Sequence, residues 1–315
     1  MKSLKVVFFG TPEFAKASLE AIHQSLHEIV GVVTVADKQA GRGQKIHESP
    51  VKLFALEHQL PVFQPEKLRN PEFLDEMKHL NADVFVVVAF RMMPKILFEM
   101  PKIGTFNLHA SLLPDYRGAA PINFAIMNGE KETGATTFFI NEKIDEGHIL
   151  LQKSLEIDED ENVGSLHDRL MVLGSELVVA TLDGLSANTI VEKPQPHVEH
   201  PKNAFKIFKN DTKIDWHRPT AEVYNFIRGL SPYPAAFTTI KIGEETKILK
   251  IFRGNYEVGI HSEAAGSMTI DKNQFYFYTN DGQYFPLEVQ LEGKKRMEVK
   301  DFLNGFRTFD QIKPA

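Results

Sequence analysis

Three polar residues in the first half of the chain are of the types needed for acyl transfer. Asn107 and His109 lie two apart at the end of a strand-like run, so both side chains project from the same face of it. The Asn107 amide can donate a hydrogen bond to a developing oxyanion, and an imidazole suits proton transfer near neutral pH. Asp145, just past another strand-like run, could orient the imidazole and stabilise its charged form. Because no nucleophilic Ser or Cys accompanies them, the three indicate direct attack of an amine on a carbonyl.

Taken singly, each of these residues has an ordinary structural interpretation. A lone histidine before a loop is more often structural than reactive, and Asp145 alone is typical of a turn before Gly147. The apolar stretch 111–114 alone is also typical of a turn. Gly10, in FFGTPEF, is a single glycine after a strand, which favours a tight turn over a phosphate site. Only the three polar residues together favour a catalytic site.

Alternating strands and helices must position these residues. Short apolar runs predict strands at 5–9, 29–35, 83–90, 104–109 and 134–140. Helical patterns fill the intervals at 12–26, 49–59, 70–80, 119–129 and 163–185. Ser49 and Asn70 each precede a proline at the first helical position, which is typical of a capped helix start. The alternation predicts a Rossmann-like α/β fold, with a mostly parallel sheet, helices on both faces and ligands at the carboxyl ends of the strands.

The pattern changes after about residue 186. The stretch EKPQPHVEHPKN (192–203) carries three prolines and no apolar periodicity, which predicts a linker. A helix at 218–230 is followed by short strand-like runs separated by turn residues, which predict a small β-barrel or sandwich. We therefore predict a catalytic domain at 1–188, a linker at 189–204 and a C-terminal β-barrel domain at 205–315.

Composition excludes several classes of protein. The chain has 315 residues, 43% hydrophobic and 25% charged, which is ordinary for a globular protein and favours two domains. It contains no Cys, which excludes disulfides, thiolate nucleophiles and Cys-ligated zinc and favours a cytoplasmic location. The N-terminal apolar run is too short for a signal peptide, and no run approaches the roughly 18 apolar residues of a membrane span. No apolar seam is evident, so we expect a monomer with no membrane partner.

The net charge of −6 is unevenly distributed along the chain. Residues 205–315 carry 16 Lys and Arg against 14 Asp and Glu, whereas residues 1–204 carry 20 against 28. The mildly basic C-terminal part permits a polyanionic partner, although two solvated surfaces of different composition explain the same numbers. The overall negative charge argues against a dedicated nucleic-acid coat.

The stretch FNLHASLLPDYRGAAPINFAI, together with IDEGHIL, resembles the site motif of the folate-dependent formyltransferase family. This resemblance implies 10-formyltetrahydrofolate as the formyl donor and no metal. It also implies a role for each polar residue. Asn107 would stabilise the tetrahedral oxyanion, His109 would relay the proton and polarise the formyl group, and Asp145 would hold His109 and help deprotonate the attacking amine.

The same resemblance implies that two segments contact the folate. They are the turn after His109 and the loop after the strand at 83–90, with the residues Phe90, Met92, Met93, Ser111, Leu112, Leu113 and Pro114. The loop departs from the family's usual Ala-Tyr-Gly-x-x-Leu-Pro, because AFRMMP at 89–94 has Arg91 in place of Gly and Met93 in place of Leu. The departures concern the folate pocket and leave the catalytic three unchanged.

Other segments indicate the acceptor amine. The stretch at 37–55 contains Gly41-Arg42-Gly43 and Lys45, which on its own favours a flexible, solvated basic loop. It nevertheless resembles the inserted loop of the family members that formylate methionyl-tRNA, and the stretches at 214–240 and 293–307 resemble their OB-like C-terminal barrel. The resemblance implies initiator methionyl-tRNA as the partner. Its contacts would be Arg42 and Lys45 on the acceptor stem, and Lys294, Lys295 and Arg296 on phosphates.

Two other functions stay open at the level of sequence. One is a folate-dependent N-formyltransferase acting on a sugar-nucleotide or another small amine, which would keep the catalytic three but need neither the basic loop nor such a barrel. The other is a non-catalytic RNA-binding protein that uses the barrel and carries a relic site. The purine-pathway glycinamide ribonucleotide formyltransferases share the catalytic three but resemble neither the loop nor the barrel.

Overall fold

The computed structural model describes residues 2–40, 45–306, 308–309 and 312–315, with the backbone alone for residues 38–40 and 45–47. The strands are β1 (Lys5–Gly10), β2 (Glu28–Val33), β3 (Lys38–Ala40), β4 (Lys45–His47), β5 (Val62–Phe63), β6 (Val84–Val88), β7 (Gly104–His109), β8 (Arg117–Gly118), β9 (Glu132–Phe139), β10 (Ile149–Glu156), β11 (Asn203–Ala204), β12 (Ala236–Ile242), β13 (Glu245–Val258), β14 (Met268–Ile270), β15 (Phe275–Tyr278), β16 (Gly282–Leu291), β17 (Met297–Glu298) and β18 (Ile312–Pro314). The helices are α1 (Glu13–His23), α2 (Pro50–Glu57), α3 (Pro71–His79), α4 (Lys95–Phe98), α5 (Pro121–Met127), α6 (Val163–Ser186), α7 (Thr220–Leu230) and α8 (Val299–Asn304), with a short 3-10 helix at Lys209–Thr212.

The chain divides into two compact units. Unit 1 comprises Met1–Gly118, Glu132–Glu156 and Asp168–Asn203. Unit 2 comprises Ala119–Lys131, Ile157–His167 and Ala204–Ala315. The domain boundaries predicted from the sequence stay a prediction. The division into units follows spatial compactness, and each unit is assembled from segments that are not consecutive in the chain.

Unit 1 is built on a sheet that, within the described residues, has the strand order β10-β9-β7-β6-β1-β2-β5. The strands from β5 to β7 run parallel, whereas β9 is antiparallel to β7 and β10 is antiparallel to β9. All residues of β6, and all of β1 except Lys5, are buried, as expected for parallel strands covered on both faces. The predicted mostly parallel α/β sheet is therefore confirmed. The antiparallel edge strand β10 was not predicted.

The helix starts of unit 1 follow the predicted capping pattern. Ser49 Oγ accepts a hydrogen bond from the Lys52 N–H at 3.1 Å, and Pro50 occupies the first helical position of α2. Asn70 Oδ1 caps α3 in the same way. One detail was wrong: the first helix, predicted to extend to residue 26, ends at His23, and Leu26 is 45% exposed.

Unit 2 contains an antiparallel sheet with the strand order β14-β15-β16-β13-β12-β18, with β17 paired to β16. Its end strands β14 and β18 approach each other, so the sheet nearly closes into a barrel. Trp216 stacks on Phe277 with ring centroids 4.4 Å apart, and Tyr284 is fully buried beside them. Residues of α7 complete this core, including Val223 and Ile227. The predicted C-terminal β-barrel is confirmed.

Candidate active site

Asn107 and His109 lie at the carboxyl end of β7. The side chain of His109 is buried, with 7% of the residue exposed, and its Nε2 lies 2.8 Å from the carbonyl oxygen of Tyr116. Asn107 is half-buried, and among the described residues its side-chain amide has no hydrogen-bond partner. An amide donor free of internal partners beside a buried imidazole is an arrangement that can meet a polarised carbonyl.

Asp145 approaches the imidazole from the loop that follows β9. Its Oδ2 lies 3.9 Å from His109 Nδ1 and accepts a hydrogen bond from the Gly118 N–H at 2.9 Å. At 3.9 Å the carboxylate is a charge neighbour of the imidazole rather than its hydrogen-bond partner. Because β9 is antiparallel to β7, the end of β9 lies beside Phe106, and the loop after it must reach back to bring Asp145 to His109.

The Tyr116 contact determines which nitrogen of His109 can accept a proton. A carbonyl oxygen only accepts hydrogen bonds, so Nε2 carries the hydrogen and donates it. The lone pair of the neutral ring is then on Nδ1, the nitrogen that faces Asp145. A proton accepted at Nδ1 would therefore lie on the side of the ring that faces that carboxylate.

Three residues of the loops around this site have an unusual backbone conformation. Ala89, Tyr116 and Asp145 are non-glycine residues with φ of 46°, 61° and 54°. Such left-handed conformations are costly outside glycine and persist where the surrounding structure imposes them, commonly at functional sites. Gly147 adds a steric constraint, because a Cβ at this position would lie 1.5 Å from the carbonyl oxygen of Phe139.

The turn after His109 is held rigidly from within unit 1. Ser111 is fully buried and its Oγ donates to the carbonyl of Asp115 at 2.7 Å. Thr136 Oγ1 donates to the Ser111 carbonyl at 2.6 Å and accepts from the Leu113 N–H at 3.1 Å. Leu113 is itself buried, whereas Leu112 and Pro114 are half-buried. Of the four turn residues predicted to contact folate, Leu112 and Pro114 therefore have the accessible side chains.

The loop after β6 contains both buried and exposed apolar side chains. Met93 is buried in the core of unit 1, Phe90 packs at the edge of that core, and Met92 is 75% exposed. Arg91 donates to the carbonyl of Glu66 at 2.8 Å and also to that of Pro65, and its guanidinium lies 5.6 Å from the Phe90 ring centroid. Met92 is exposed and Phe90 is half-buried, so the loop presents apolar surface of the kind that suits a flat heteroaromatic group such as a pteridine.

The residues predicted to contact tRNA differ in how available their charged groups are for a partner. Arg42 lies outside the described residues, and Lys45 begins β4, which pairs with β3, so the ends of the predicted loop form a two-stranded ribbon. Lys294 and Lys295 are exposed at the turn after β16. Arg296 forms a bidentate contact with Glu288 at 2.5 Å, and its guanidinium lies 4.2 Å from the Phe252 ring centroid. These internal contacts occupy the guanidinium of Arg296.

Unit 2 also contains a cleft of about 730 Å³ that the sequence did not indicate. Its lining includes three lysines, Lys206, Lys209 and Lys250, together with Phe208 and Tyr233. Phe208 is 60% exposed and Tyr233 is 82% exposed. Exposed aromatic rings among lysines are typical of surfaces that bind single-stranded nucleic acid. The sequence signal was available in KIFK (206–209), where basic and apolar residues are interleaved.

Two further residues near Asp145 were missed by the sequence analysis, Arg117 and Gln195. The Gln195 amide donates to the carbonyls of Asp145 and Gly147, at 2.8 and 2.9 Å, and accepts from the guanidinium of Arg117. Arg117 stood inside the YRG motif, but nothing in the Pro-rich composition around Gln195 pointed to a side-chain contact.

Neither metal ligation nor membrane insertion is indicated for the part of the chain that the structure describes. No group of three or more His, Asp and Glu side chains is arranged to hold a metal ion there. Nor does that part contain a helix with the length and apolarity needed to cross a bilayer.

Comparisons with known proteins agree with the α/β fold and with the barrel. The family profile described as Formyl transferase matches residues 4–182, and the profile described as Formyl transferase, C-terminal domain, matches residues 206–307. The chain is 49% identical to the methionyl-tRNA formyltransferase of Flavobacterium psychrophilum over 313 residues, 99% of either chain. It is 45% identical to that of Bacteroides fragilis over 317 residues, covering 99% of this chain and 98% of the relative.

A solved structure shows the same fold at lower sequence similarity. The N-formyltransferase from Helicobacter canadensis, in complex with folinic acid and dTDP-3-aminofucose, superposes with a TM-score of 0.67. It is 21% identical, and the match covers 90% of this chain and 98% of that chain. At this identity the likeness shows the fold alone.

Proposed function

The chain belongs to the methionyl-tRNA formyltransferase family, and we propose that it transfers a formyl group from 10-formyltetrahydrofolate to the α-amino group of methionine on initiator tRNA. The product is N-formylmethionyl-tRNA for translation initiation. The observation that carries this proposal is the extent of the similarity, because the identity of 49% covers 99% of both chains and so includes the site and the barrel alike. We also propose that the enzyme acts as a cytoplasmic monomer.

The three polar residues at the end of β7 and in the loop after β9 carry the chemistry. The donor supplies the formyl carbon, and the amine must be neutral to attack it. Asn107 donates a hydrogen bond to the oxyanion that develops on the formyl oxygen. His109 Nδ1 accepts the proton that the amine releases and passes it to the departing nitrogen. Asp145, 3.9 Å from Nδ1, stabilises the imidazolium while it exists.

The donor is proposed to lie between the loop after β6 and the turn after His109. Phe90, Met92, Leu112 and Pro114 would contact its apolar parts, since these side chains are at least partly exposed. Met93, Ser111 and Leu113 would support that surface from beneath, because all three are buried. The polar backbone contacts made by Ser111 hold the turn in place for this purpose.

The tRNA is proposed to contact unit 2 through its cleft. Lys206, Lys209 and Lys250 supply positive charge there, and Phe208 and Tyr233 supply exposed rings. Lys294 and Lys295 are further candidates for phosphate contacts, together with the predicted Arg42 and Lys45. A binding surface confined to these lysines on an acidic protein implies that affinity falls as salt rises.

A single substrate panel tests the proposal against its rivals. The protein is incubated with 10-formyltetrahydrofolate labelled on the formyl carbon and with charged initiator tRNA, a sugar-nucleotide amine or glycinamide ribonucleotide as acceptor. We expect label on the methionine and little on the small amines. Label on a sugar amine alone would refute the tRNA assignment, and no turnover with any amine would favour a relic site. The structural likeness to a sugar N-formyltransferase does not favour the small-amine alternative, since it shows the fold alone.

A further inference from the structure

Gln195 lies in the Pro-rich stretch predicted to be a linker, yet its side chain is fully engaged with the catalytic unit. It is half-buried, whereas every other residue of 191–200 is exposed. The stretch is held beside the Asp145 loop at a second point, because Lys193 and Ile149 exchange two backbone hydrogen bonds of 2.9 and 2.7 Å. Part of this stretch is therefore hydrogen-bonded along the loop that carries the proposed catalytic carboxylate, Asp145.

The contacts of Gln195 determine the orientation of its amide. Nε2 donates to the carbonyls of Asp145 and Gly147, and these oxygens can only accept. Oε1 accepts from Nε and Nη2 of Arg117, at 3.1 and 2.5 Å, and a guanidinium can only donate. A flipped amide would reverse all of these interactions, so one orientation satisfies every polar atom of the side chain.

The backbone that Gln195 holds has an unusual conformation. Asp145 is left-handed with φ of 54°, which is uncommon outside glycine although Asp adopts it more readily than most residues. Its carboxylate is held at a second point by the N–H of Gly118. Arg117, the residue before Gly118, is in turn bound by Gln195 and by Glu146 at 3.3 Å. Gln195 thus connects the backbone of Asp145 with the Arg117–Gly118 strand, whose Gly118 N–H holds the carboxylate.

We propose that Gln195 is a positioning residue for the catalytic carboxylate. It acts through Asp145 by holding the backbone of that residue and the Arg117–Gly118 strand at a fixed separation, so that Oδ2 stays beside His109 Nδ1. This inference rests on the proposed function, because it assigns Asp145 the task of stabilising the imidazolium. The segment 192–195 is accordingly a structural part of the active site.

The substitution Gln195→Glu tests the proposal with almost no change in volume. A glutamate would retain its contact with Arg117 but would turn an acceptor oxygen toward the carbonyls of Asp145 and Gly147, which repel it. We expect kcat to fall roughly 10- to 100-fold through displacement of the carboxylate, while the KM values for folate and tRNA stay nearly unchanged. His197→Ala, an exposed substitution two residues along the same stretch, is the control and should be silent.

A double-mutant cycle separates positioning from a general structural role. If Gln195 acts through Asp145, then Gln195→Glu should change kcat by less than about twofold in an Asp145→Asn background. An equal loss in both backgrounds, or a loss in kcat that follows a lowered Tm, would overturn the proposal. Unchanged kcat for Gln195→Glu in the otherwise native enzyme would overturn it too.

The hydrogen bonds from Gln195 to the carbonyls of Asp145 and Gly147 form a clamp on this loop, and amide hydrogen exchange tests that clamp without turnover. The measurement therefore distinguishes failure of the positioning role from failure of the proposed function. In Gln195→Glu, exchange over 143–149 should accelerate at least about tenfold while exchange in β7 stays the same, because the loop loses a local support. Unchanged exchange over 143–149 would refute the clamp even in an active enzyme. Faster exchange in a protein inactive on every amine would support the clamp and refute the catalytic assignment.

Discussion

At the scale of single residues, His109 has two tasks that a substitution can separate. Its Nε2 donates to the Tyr116 carbonyl, and its Nδ1 faces Asp145. His109→Gln keeps a donor for that carbonyl and removes the imidazole proposed to transfer the proton, so we expect turnover to fall by roughly 10²–10⁴-fold with little change in Tm. Steady-state formylation and thermal melts measure the two effects, with the exposed His79→Gln as control. Near-normal turnover would show that His109 is structural.

Arg91 is the clearest departure of this chain from the usual folate loop, and its contacts suggest why the departure is tolerated. The guanidinium binds the Glu66 and Pro65 carbonyls and so ties the loop after β6 to the segment after β5. We expect Arg91→Ala to raise the folate KM roughly three- to tenfold, because charged hydrogen bonds of about 1.5 kcal/mol are lost at an exposed site. The tRNA KM should not change.

The control for Arg91 is Arg69→Ala, which removes the same charge from an exposed position. Both variants are compared by steady-state kinetics with each substrate varied in turn. An unchanged folate KM in Arg91→Ala, or an equal rise in both KM values, would show that Arg91 does not organise the donor site.

At the scale of elements, the connection between β9 and β10 depends on a glycine. A Cβ on Gly147 would lie 1.5 Å from the Phe139 carbonyl oxygen, and backbone cannot move aside as a flexible side chain can. We expect Gly147→Ala to lower the free energy of unfolding by about 2–3 kcal/mol, as overpacking against a rigid neighbour does. Gly259→Ala, where a Cβ meets nothing within 4 Å, should change it by less than about 0.5 kcal/mol. Urea denaturation of both variants measures the difference, and equal stabilities would contradict the expectation.

The same connection shows where sequence patterns succeed and fail. Runs such as those of β1 and β6 were predictable because a strand buried on both faces is apolar at nearly every position. The edge strand β10, ILLQKSLE, was missed because only its first two residues are buried and four of the remaining six are polar. Capped helix starts were predictable from two or three adjacent residues, whereas the path of the loop that returns Asp145 to His109 depends on tertiary contacts.

Within the site, the sequence indicated which side chains could react but not what supports them. Asn107 and His109 were found because two positions on one strand must share a face. Gln195 was not, because its partners are two backbone carbonyls and a guanidinium some 50 and 78 positions away, and composition does not encode such pairing. Its proline neighbours predicted a linker, and such a composition does not indicate what the segment lies against.

At the scale of the whole molecule, the cleft of unit 2 gathers charge and aromatic residues in a way that suits an anionic partner. The chain is acidic over 1–204 and mildly basic over 205–315, and the cleft of unit 2 gathers three lysines and two exposed rings. The charge count of the sequence indicated only that the C-terminal part permits an anionic partner. It could not indicate which lysines lie together, because that depends on the fold. The contact of Arg296 with Glu288 shows the converse, because a cation evident in the sequence can be neutralised in the fold.

Stability of unit 1 as a whole is linked to pH through His27. The Leu4 N–H donates to His27 Nδ1 at 3.2 Å, and Nε2 contacts Asp183 Oδ1 at 3.3 Å, so the ring connects the start of β1 to α6. Burial lowers the pKa of His27 below its ordinary value of 6.5, and the nearby Asp183 carboxylate only partly opposes this. The lowered pKa reflects a buried ring that accepts a hydrogen bond and is therefore held neutral.

The sign of the pH dependence follows from that lowered pKa. In the unfolded chain His27 binds a proton as pH falls through about 6.5, whereas the folded chain resists until a lower pH, so folding is penalised progressively below about 6.5. We expect the unfolding free energy to fall from pH 7.5 to 5.5 more steeply in the native chain than in His27→Gln. The difference should be at most about 1.4 kcal/mol per pH unit, the limit for one proton. Urea unfolding at several pH values measures both slopes, and identical slopes would mean that His27 titrates alike in both states.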